Sequence, residues 1–240
     1  GAPMGLALAF VWLLLARVAH AGEEFPPFLP GASEFPPDVR SEIISVWTDY
    51  TLTRGVDGRP ARAPLEIYRL FVDYPDVTAA ASRHLGLTKY RVEPVGPNRF
   101  AADDGEGAKG IYRVLVHDDR RRIMLTRGSH EGAILGRIGG ASLTILSFEP
   151  RAGADGVPEV AQRVETFVRI DNPVAAFFAR LLLPLFSGYA DRKIAETFNV
   201  TARVSEWAAR EPAAFCAWLA GADGVPARRA AFSAVLPSCR

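Results

Sequence analysis

The sequence contains few of the residues that build metal centres, disulfide frameworks and nucleophilic active sites. Its 240 residues include two cysteines and four histidines, and neither cysteine belongs to a CxxC pair. It has no GxSxG or HExxH motif and no glycine-rich loop that ends in Lys-Ser or Lys-Thr. The low cysteine and histidine counts argue against a disulfide-dense scaffold and a metal centre. The missing motifs argue against the hydrolases that carry them and against P-loop nucleotide binding. We expect no cofactor.

The chain also lacks an excess of charge of one sign. Its formal net charge is +1, and the only cluster of basic residues, in DDRRR at 118–122, mixes both signs. Arginine outnumbers lysine about eight to one, which we interpret as a compositional bias because no long basic run exists. We therefore expect no nucleic-acid partner. With 49% hydrophobic residues, the chain suits one domain with a sizeable core.

Hydrophobic runs long enough to span a membrane are missing. The N-terminal run from Gly5 to Ala16 falls short of the roughly 20 apolar residues that a membrane-spanning helix needs. Ala19 and Ala21 follow it with the small-x-small spacing of a signal peptidase site. The pattern predicts a signal peptide over residues 1–21 and export to the periplasm or the extracellular space. An uncleaved anchor is the alternative, since no Lys or Arg precedes the run.

A second apolar run, PVAAFFARLLLPLF, occupies residues 173–186 and contains an arginine and a proline. It begins with Asn172-Pro173, a capping side chain before a proline at the first helical position, which predicts a helix start. The pattern continues to about Trp207, with a bend near Pro184. Because the run is short, interrupted and directly follows a strand, we interpret it as a helix laid across a sheet and not as a membrane anchor.

The remaining segments alternate between apolar patterns and turn residues. Residues 22–63 comprise a Pro-rich arm, a short amphipathic helix over 38–50 and a loop. The dense apolar stretch 64–74 predicts a strand, and the Ala-rich stretch 75–85 predicts a short helix. Six strands in an antiparallel meander then lead to residue 170, with the glycine-rich residues 136–140 as a turn or a lid.

This order of elements resembles the helix-grip fold of the START-like (SRPBCC) superfamily, which includes lipid-transfer domains, polyketide cyclases and plant ligand-binding allergens. The resemblance covers residues 64–207 and rests on element order and on the junction VETFVRIDNPVAAFFARLLLPLF. It implies an α+β fold in which a curved antiparallel sheet of about seven strands wraps a long C-terminal helix, with a short N-terminal helix and a helical tail over 208–240. Many members have two short helices after the first strand, whereas this sequence leaves room for little more than one. The resemblance also implies a cavity for an apolar or amphipathic ligand.

The strand pattern predicts which side chains line this cavity. A two- or four-residue turn centred on residues 118–119 would pair Tyr112 with Leu125, so that both side chains share the inner face and Arg122 lies on the outer one, whereas a three-residue turn would reverse the two faces. Alternation along the last strand places Thr166 and Val168 on the inner face as well. The predicted ligand-binding residues are Tyr112, Val114, Ile123, Leu125, Arg127, Thr166, Val168, Phe178 and Leu182.

The same register points Arg127 inward, where a charge is costly unless it is paired. Its planar guanidinium could anchor a carboxylate or phosphate headgroup. Alternatively, Arg127 forms an ion pair with Glu131 or Asp191, or lies at the solvent-exposed end of the sheet.

The two cysteines, Cys216 and Cys239, both lie in the predicted tail. An isolated pair in an exported chain predicts a disulfide, and two free thiols are the alternative.

Three functions remain open from the sequence. The first is an exported, non-enzymatic binding or carrier protein for a lipid, sterol, polyketide or similar apolar molecule, with transient contact at a membrane surface. The second is an enzyme of cyclase, aromatase or hydrolase type that uses the same cavity. The third is a structural or partner-binding protein whose core is filled by its own side chains. The lack of a catalytic constellation favours the first function.

Overall fold

The computed structural model describes residues 25–132 and 136–240, without the side chains of residues 177, 178, 180–187, 189, 190 and 193. The predicted signal peptide over residues 1–21 lies outside the described residues. The main elements, in chain order, are α1 (Pro37–Thr48), β1 (Leu52–Asp57), α2 (Leu65–Asp73), α3 (Pro75–His84), β2 (Arg91–Gly96), β3 (Arg99–Asp103), β4 (Ala108–His117), β5 (Arg121–Gly132), β6 (Gly136–Ala152), β7 (Pro158–Ile170), α4 (Pro173–Arg210), α5 (Pro212–Ala220) and α6 (Arg229–Ser233).

The strands of the described chain form one antiparallel sheet. Its order is β1-β7-β6-β5-β4-β3-β2, so β1 and β2 are the edges and the strands from β2 to β7 neighbour each other in chain order. The long helix α4 follows β7 directly and contacts β1, β7, α2 and α3. This is an α+β helix-grip architecture with a short N-terminal helix and a helical tail, and the predicted fold class is confirmed.

The first strand and the first covering helix differ from the prediction. Residues 64–74, predicted as a strand, form helix α2, because Ile67, Tyr68 and Phe71 fall at helical spacing and all three are buried. The first strand, β1, lies instead at Leu52–Asp57, inside the predicted loop, and pairs with β7. Two short helices, α2 and α3, therefore follow the first strand, and the expectation of little more than one is wrong.

The glycine-rich residues 136–140 are also placed differently from the prediction. They belong to β6 and pair with the end of β5, so they are neither a turn nor a lid. A Cβ atom on Gly140 would lie 2.7 Å from the carbonyl oxygen of Arg169, which explains why this strand needs glycine where β7 passes close by.

Helix α4 starts at the predicted residue. The side-chain oxygen of Asn172 accepts hydrogen bonds from the backbone N–H groups of Val174 at 2.9 Å and Ala175 at 3.0 Å. Pro173 occupies the first helical position, and the helix continues to Arg210. In the described part of the chain, no helix is both long enough and apolar enough to cross a membrane.

The convex face of the sheet is covered by the segment that precedes β1. Phe28 of the arm stacks on Phe167 of β7 with ring centroids 5.7 Å apart, and Trp47 of α1 meets the same ring edge-on at 5.1 Å. The fully packed residues of α1 are Val39, Ile43 and Val46. Among the described residues, this cover reaches β5, β6 and β7 but leaves Ile111 of β4 42% exposed, so it buries the convex face of one half of the sheet.

The tail after α4, residues 211–240, forms a cap that contains α5 and α6 and packs on α2. The rings of Phe215 and Phe232 each lie 5.3 Å from the ring of Phe71 in α2. Cys216 and Cys239 form a disulfide in this cap, with their Cα atoms 4.8 Å apart. The cap therefore holds the helices that cover the concave face of the sheet.

Candidate functional site

A mainly apolar cavity of about 850 Å³ lies between the concave face of the sheet and helices α2, α3 and α4. The helices contribute Phe71, Val72 and Phe198 to its wall, and Tyr74 lies there between α2 and α3. The sheet contributes a floor whose side chains come from alternate positions of β2 to β7, because successive residues of a strand point to opposite faces.

One row of side chains runs across this floor through paired positions on five strands. It consists of Phe100, Tyr112, Thr126, Ser142 and Val168. The rings of Phe100 and Tyr112 are stacked, with centroids 5.2 Å apart. Burial, and to a smaller extent the charge of Asp76, raises the pKa of the Tyr112 hydroxyl, so this group remains protonated at neutral pH and can donate a hydrogen bond.

A bulge in β4 decides which side chains of the hairpin enter the cavity. Val116 pairs with Ile123, but Val114 pairs with Met124, so Leu115 is the extra residue. A shift of one residue exchanges the two faces of the pairing. Tyr112 and Val114 therefore line the cavity as expected, together with Met124 and Thr126 of β5.

The bulge makes part of the predicted lining wrong. Ile123 and Leu125 face the convex side of the sheet, where they are buried in the cluster beneath α1. Arg127 faces the same side, its side chain 53% exposed, and forms ion pairs with Glu42 at 3.3 Å and Asp171 at 3.2 Å. It therefore cannot anchor a headgroup inside the cavity, and neither predicted acid is its partner.

The arginine inside the cavity is Arg122, which the predicted register had placed on the outer face. Its side chain is 2% exposed, and its Nε and Nη2 atoms lie 2.8 and 2.7 Å from one oxygen of Asp73. Its Nη1 atom donates to the backbone oxygens of Asp118 and Arg121. The guanidinium also lies 5.4 Å from the centre of the Phe148 ring. These contacts neutralise the charge, so Arg122 joins β5 to the end of α2.

His117 is the one imidazole that approaches this ion pair in the described chain. Its Nε2 atom lies 3.6 Å from Asp73, and its side chain is 52% exposed. A carboxylate beside an imidazole can fix the orientation of the ring for acid–base chemistry. Here the carboxylate is already bound by Arg122, so the arrangement is a weak basis for catalysis.

The other predicted lining residues have mixed positions. Val168 lies in the cavity floor. Thr166 is buried, and its hydroxyl lies 3.0 Å from the hydroxyl of Thr144, so this hydroxyl already has a hydrogen-bond partner within the sheet. The side chains of Phe178 and Leu182 lie outside the described ones, and their contact with a ligand stays a prediction.

Several solved structures are similar to this chain. A conserved protein from Geobacillus kaustophilus is 14% identical with a TM-score of 0.43, covering 65% of this chain and 93% of that one. Ara h 8.0201 is 14% identical with a TM-score of 0.40, covering 64% of this chain and 97% of that one. The di-domain ARO/CYC BexL from the BE-7585A biosynthetic pathway is 13% identical with a TM-score of 0.43, covering 72% of this chain and 57% of that one.

The fold is a helix grip. The order of the strands and the place of α4 directly after β7 establish this architecture. No family model matches the sequence, and neither does any curated protein. Because one fold serves many functions, the function of this protein depends on its cavity and not on the fold alone.

Proposed function

We propose that this protein binds an apolar or amphipathic small molecule, of the lipid or sterol class, in the cavity between the sheet and the helices. The observation that carries the proposal is the size and lining of the cavity. Its volume of about 850 Å³ lies in the range of roughly 300–1,000 Å³ that is usual for small-molecule sites. Its wall is mainly aromatic and aliphatic, which suits a ligand that leaves water for an apolar surface.

The proposal includes export to the periplasm or the extracellular space, on the basis of the short apolar run and the Ala19 and Ala21 spacing near the N-terminus. Sequencing the N-terminus of the protein from its native compartment tests this part. We expect the mature chain to begin at Gly22, and recovery of residues 4–21 intact in membranes would show an anchor instead.

The experiment for ligand binding is a titration with the neutral fluorescent probe 1-aminoanthracene. We expect the wild-type protein to bind the probe and the V168W variant to lose binding, because the indole enters the cavity from its floor. V157W is the matched control, since Val157 is 38% exposed in the β6–β7 turn.

A urea melt of each variant separates an open cavity from a packed core. If the space is open, V168W costs little free energy of unfolding, whereas overpacking a filled core costs about 1–3 kcal/mol. Absence of probe binding by the wild type, or unchanged binding by V168W, would contradict the proposal and favour a structural protein with a filled core.

A further inference from the structure

We infer that the ligand of this cavity is electrically neutral and carries at least two hydrogen-bonding oxygens along one edge. The inference rests on the proposed function, because it specifies the molecule that the cavity would hold. It comes from a row of three hydroxyl groups on the cavity floor and from the pairing of every buried charge in the described lining.

The three hydroxyls belong to Tyr112, Thr126 and Ser142, which occupy directly paired positions on β4, β5 and β6. All three residues line the cavity and are only partly buried. Within residues 25–132 and 136–240, none of these hydroxyls forms a hydrogen bond with another group of the protein. Their hydrogen-bonding capacity is therefore directed at whatever fills the cavity, water or ligand.

In the next row of the same floor, two hydroxyls on neighbouring strands are paired with each other. Thr144 and Thr166 are cross-strand partners on β6 and β7, and their Oγ1 atoms lie 3.0 Å apart. Thr126 and Ser142 have the same cross-strand relation but no such bond. The difference leaves three hydroxyls in one row of the floor without a protein partner, beneath a wall that is mainly apolar.

A ligand that enters the cavity displaces water from these hydroxyls. Burying a hydroxyl without a partner is costly, so a pure hydrocarbon would lose binding energy at each of them. Neighbouring strands lie about 4.8 Å apart, so the backbone positions of the row span about 10 Å from β4 to β6, and the longer Tyr112 side chain holds its hydroxyl farther from the sheet than Thr126 and Ser142 do. A ligand with oxygens placed along one edge at intervals of about 5–10 Å would satisfy it.

The charges of the described lining argue against an anionic headgroup. Arg122 is the buried cation, and Asp73 binds it at 2.7 Å. Lys109 pairs with Asp103 at 3.1 Å at the rim of the cavity, and Arg91 is exposed there. No unpaired cation among the described lining residues is buried, so a carboxylate or phosphate would enter this space without a counter-ion.

The test compares three competitors of bound 1-aminoanthracene: androstane, androstane-3,17-diol and palmitate. The first two share one rigid skeleton and differ in two hydroxyls, and palmitate adds a terminal charge. For the wild-type protein we expect the diol to bind at least about tenfold more tightly than androstane, since each neutral hydrogen bond contributes about three- to tenfold. We expect palmitate to displace the probe only at higher concentrations than the diol does.

The variant T126V/S142A removes two hydroxyls with little change of shape. We expect the advantage of the diol over androstane to fall at least about threefold, because the diol loses its bonds to these two groups and androstane no longer buries them without a partner, while the Tyr112 hydroxyl remains. T126S keeps a hydroxyl at this position and should keep the preference. T53V is the control outside the cavity, because Thr53 is exposed on β1.

The outcomes separate the inference from the proposed function. If the probe and androstane bind but the diol binds no better, the inference is overturned and the proposed function stands. If palmitate displaces the probe at lower concentration than the diol, the neutral charge of the ligand is overturned. If no probe or competitor binds the wild type, the proposed function fails and the inference with it. Should the double variant not fold in a urea melt, the wild-type comparison of diol and androstane decides.

Discussion

Arg122 and Arg127 lie on the same strand and face opposite sides of the sheet, and their surroundings differ accordingly. Arg122 is buried against Asp73 and two backbone oxygens, whereas Arg127 bridges Glu42 and Asp171 in contact with solvent. A buried ion pair is costly to break because the partner that remains is an uncompensated charge. An exposed pair is screened by water, and its loss costs little.

These different surroundings predict different losses of stability when each arginine is replaced by methionine. We expect R122M to lower the free energy of unfolding by about 3–5 kcal/mol, because Asp73 loses its main partner. We expect R127M to lower it by less than about 1 kcal/mol, because this side chain is largely hydrated. Urea melts at neutral pH measure both values, and equal losses would contradict the placement of these residues on opposite faces.

Which arginine points inward could not be predicted from the sequence, because a bulge has no residue signature of its own. The alternation of Tyr112 and Val114 was sufficient to place both in the cavity. The extra residue Leu115 then exchanges the faces of the paired strand, and Ile123 and Leu125 join the convex cluster. The row of hydroxyls depends on the same shift, so its members on β5 and β6 were not visible from the pattern.

At the scale of whole elements, start and stop signals predicted more than apolar density did. The cap Asn172 and the following proline located α4, and turn residues separated β2 to β7, except that residues 136–140 belong to β6. The stretch 64–74 is dense in apolar residues, which is compatible with a strand or a helix, and only burial shows the helical spacing. Strand β1 lies at the edge of the sheet and contains Gly55 and three charged or polar residues. Its sequence pattern therefore gave only a weak indication of a strand.

The C-terminal cap is the element whose stability depends on a covalent link. The disulfide joins residues 23 positions apart, and closing a loop of this length stabilises a fold by roughly 3 kcal/mol. We expect C216S/C239S to lower the free energy of unfolding by about this amount, measured in urea. Treatment of the wild type with dithiothreitol should shift its melt to that of the variant. Identical wild-type melts with and without reductant, or free thiols in non-reducing peptide maps, would contradict the link.

On the scale of the whole molecule, the sheet divides into two halves with unequal cover. The arm and α1 bury the convex side of β5 to β7, while the helices bury the concave side. The hairpin of β2 and β3 lies at the far edge, and no described segment covers its convex side in this way. Both halves contribute to the cavity, since Val92, Phe100 and Ala102 of this hairpin belong to its floor.

This unequal cover has a consequence for how the molecule opens. Backbone amides that are buried on both sides exchange with solvent only when much of the fold is lost, whereas those near an uncovered edge exchange through local opening. We expect amide hydrogens of β5 and β6 to exchange slowest and those of β2 and β3 to exchange much faster, in hydrogen–deuterium exchange followed by mass spectrometry. Uniform protection across the sheet would contradict this. A hairpin that opens by itself would give a ligand a route into the cavity without moving α4.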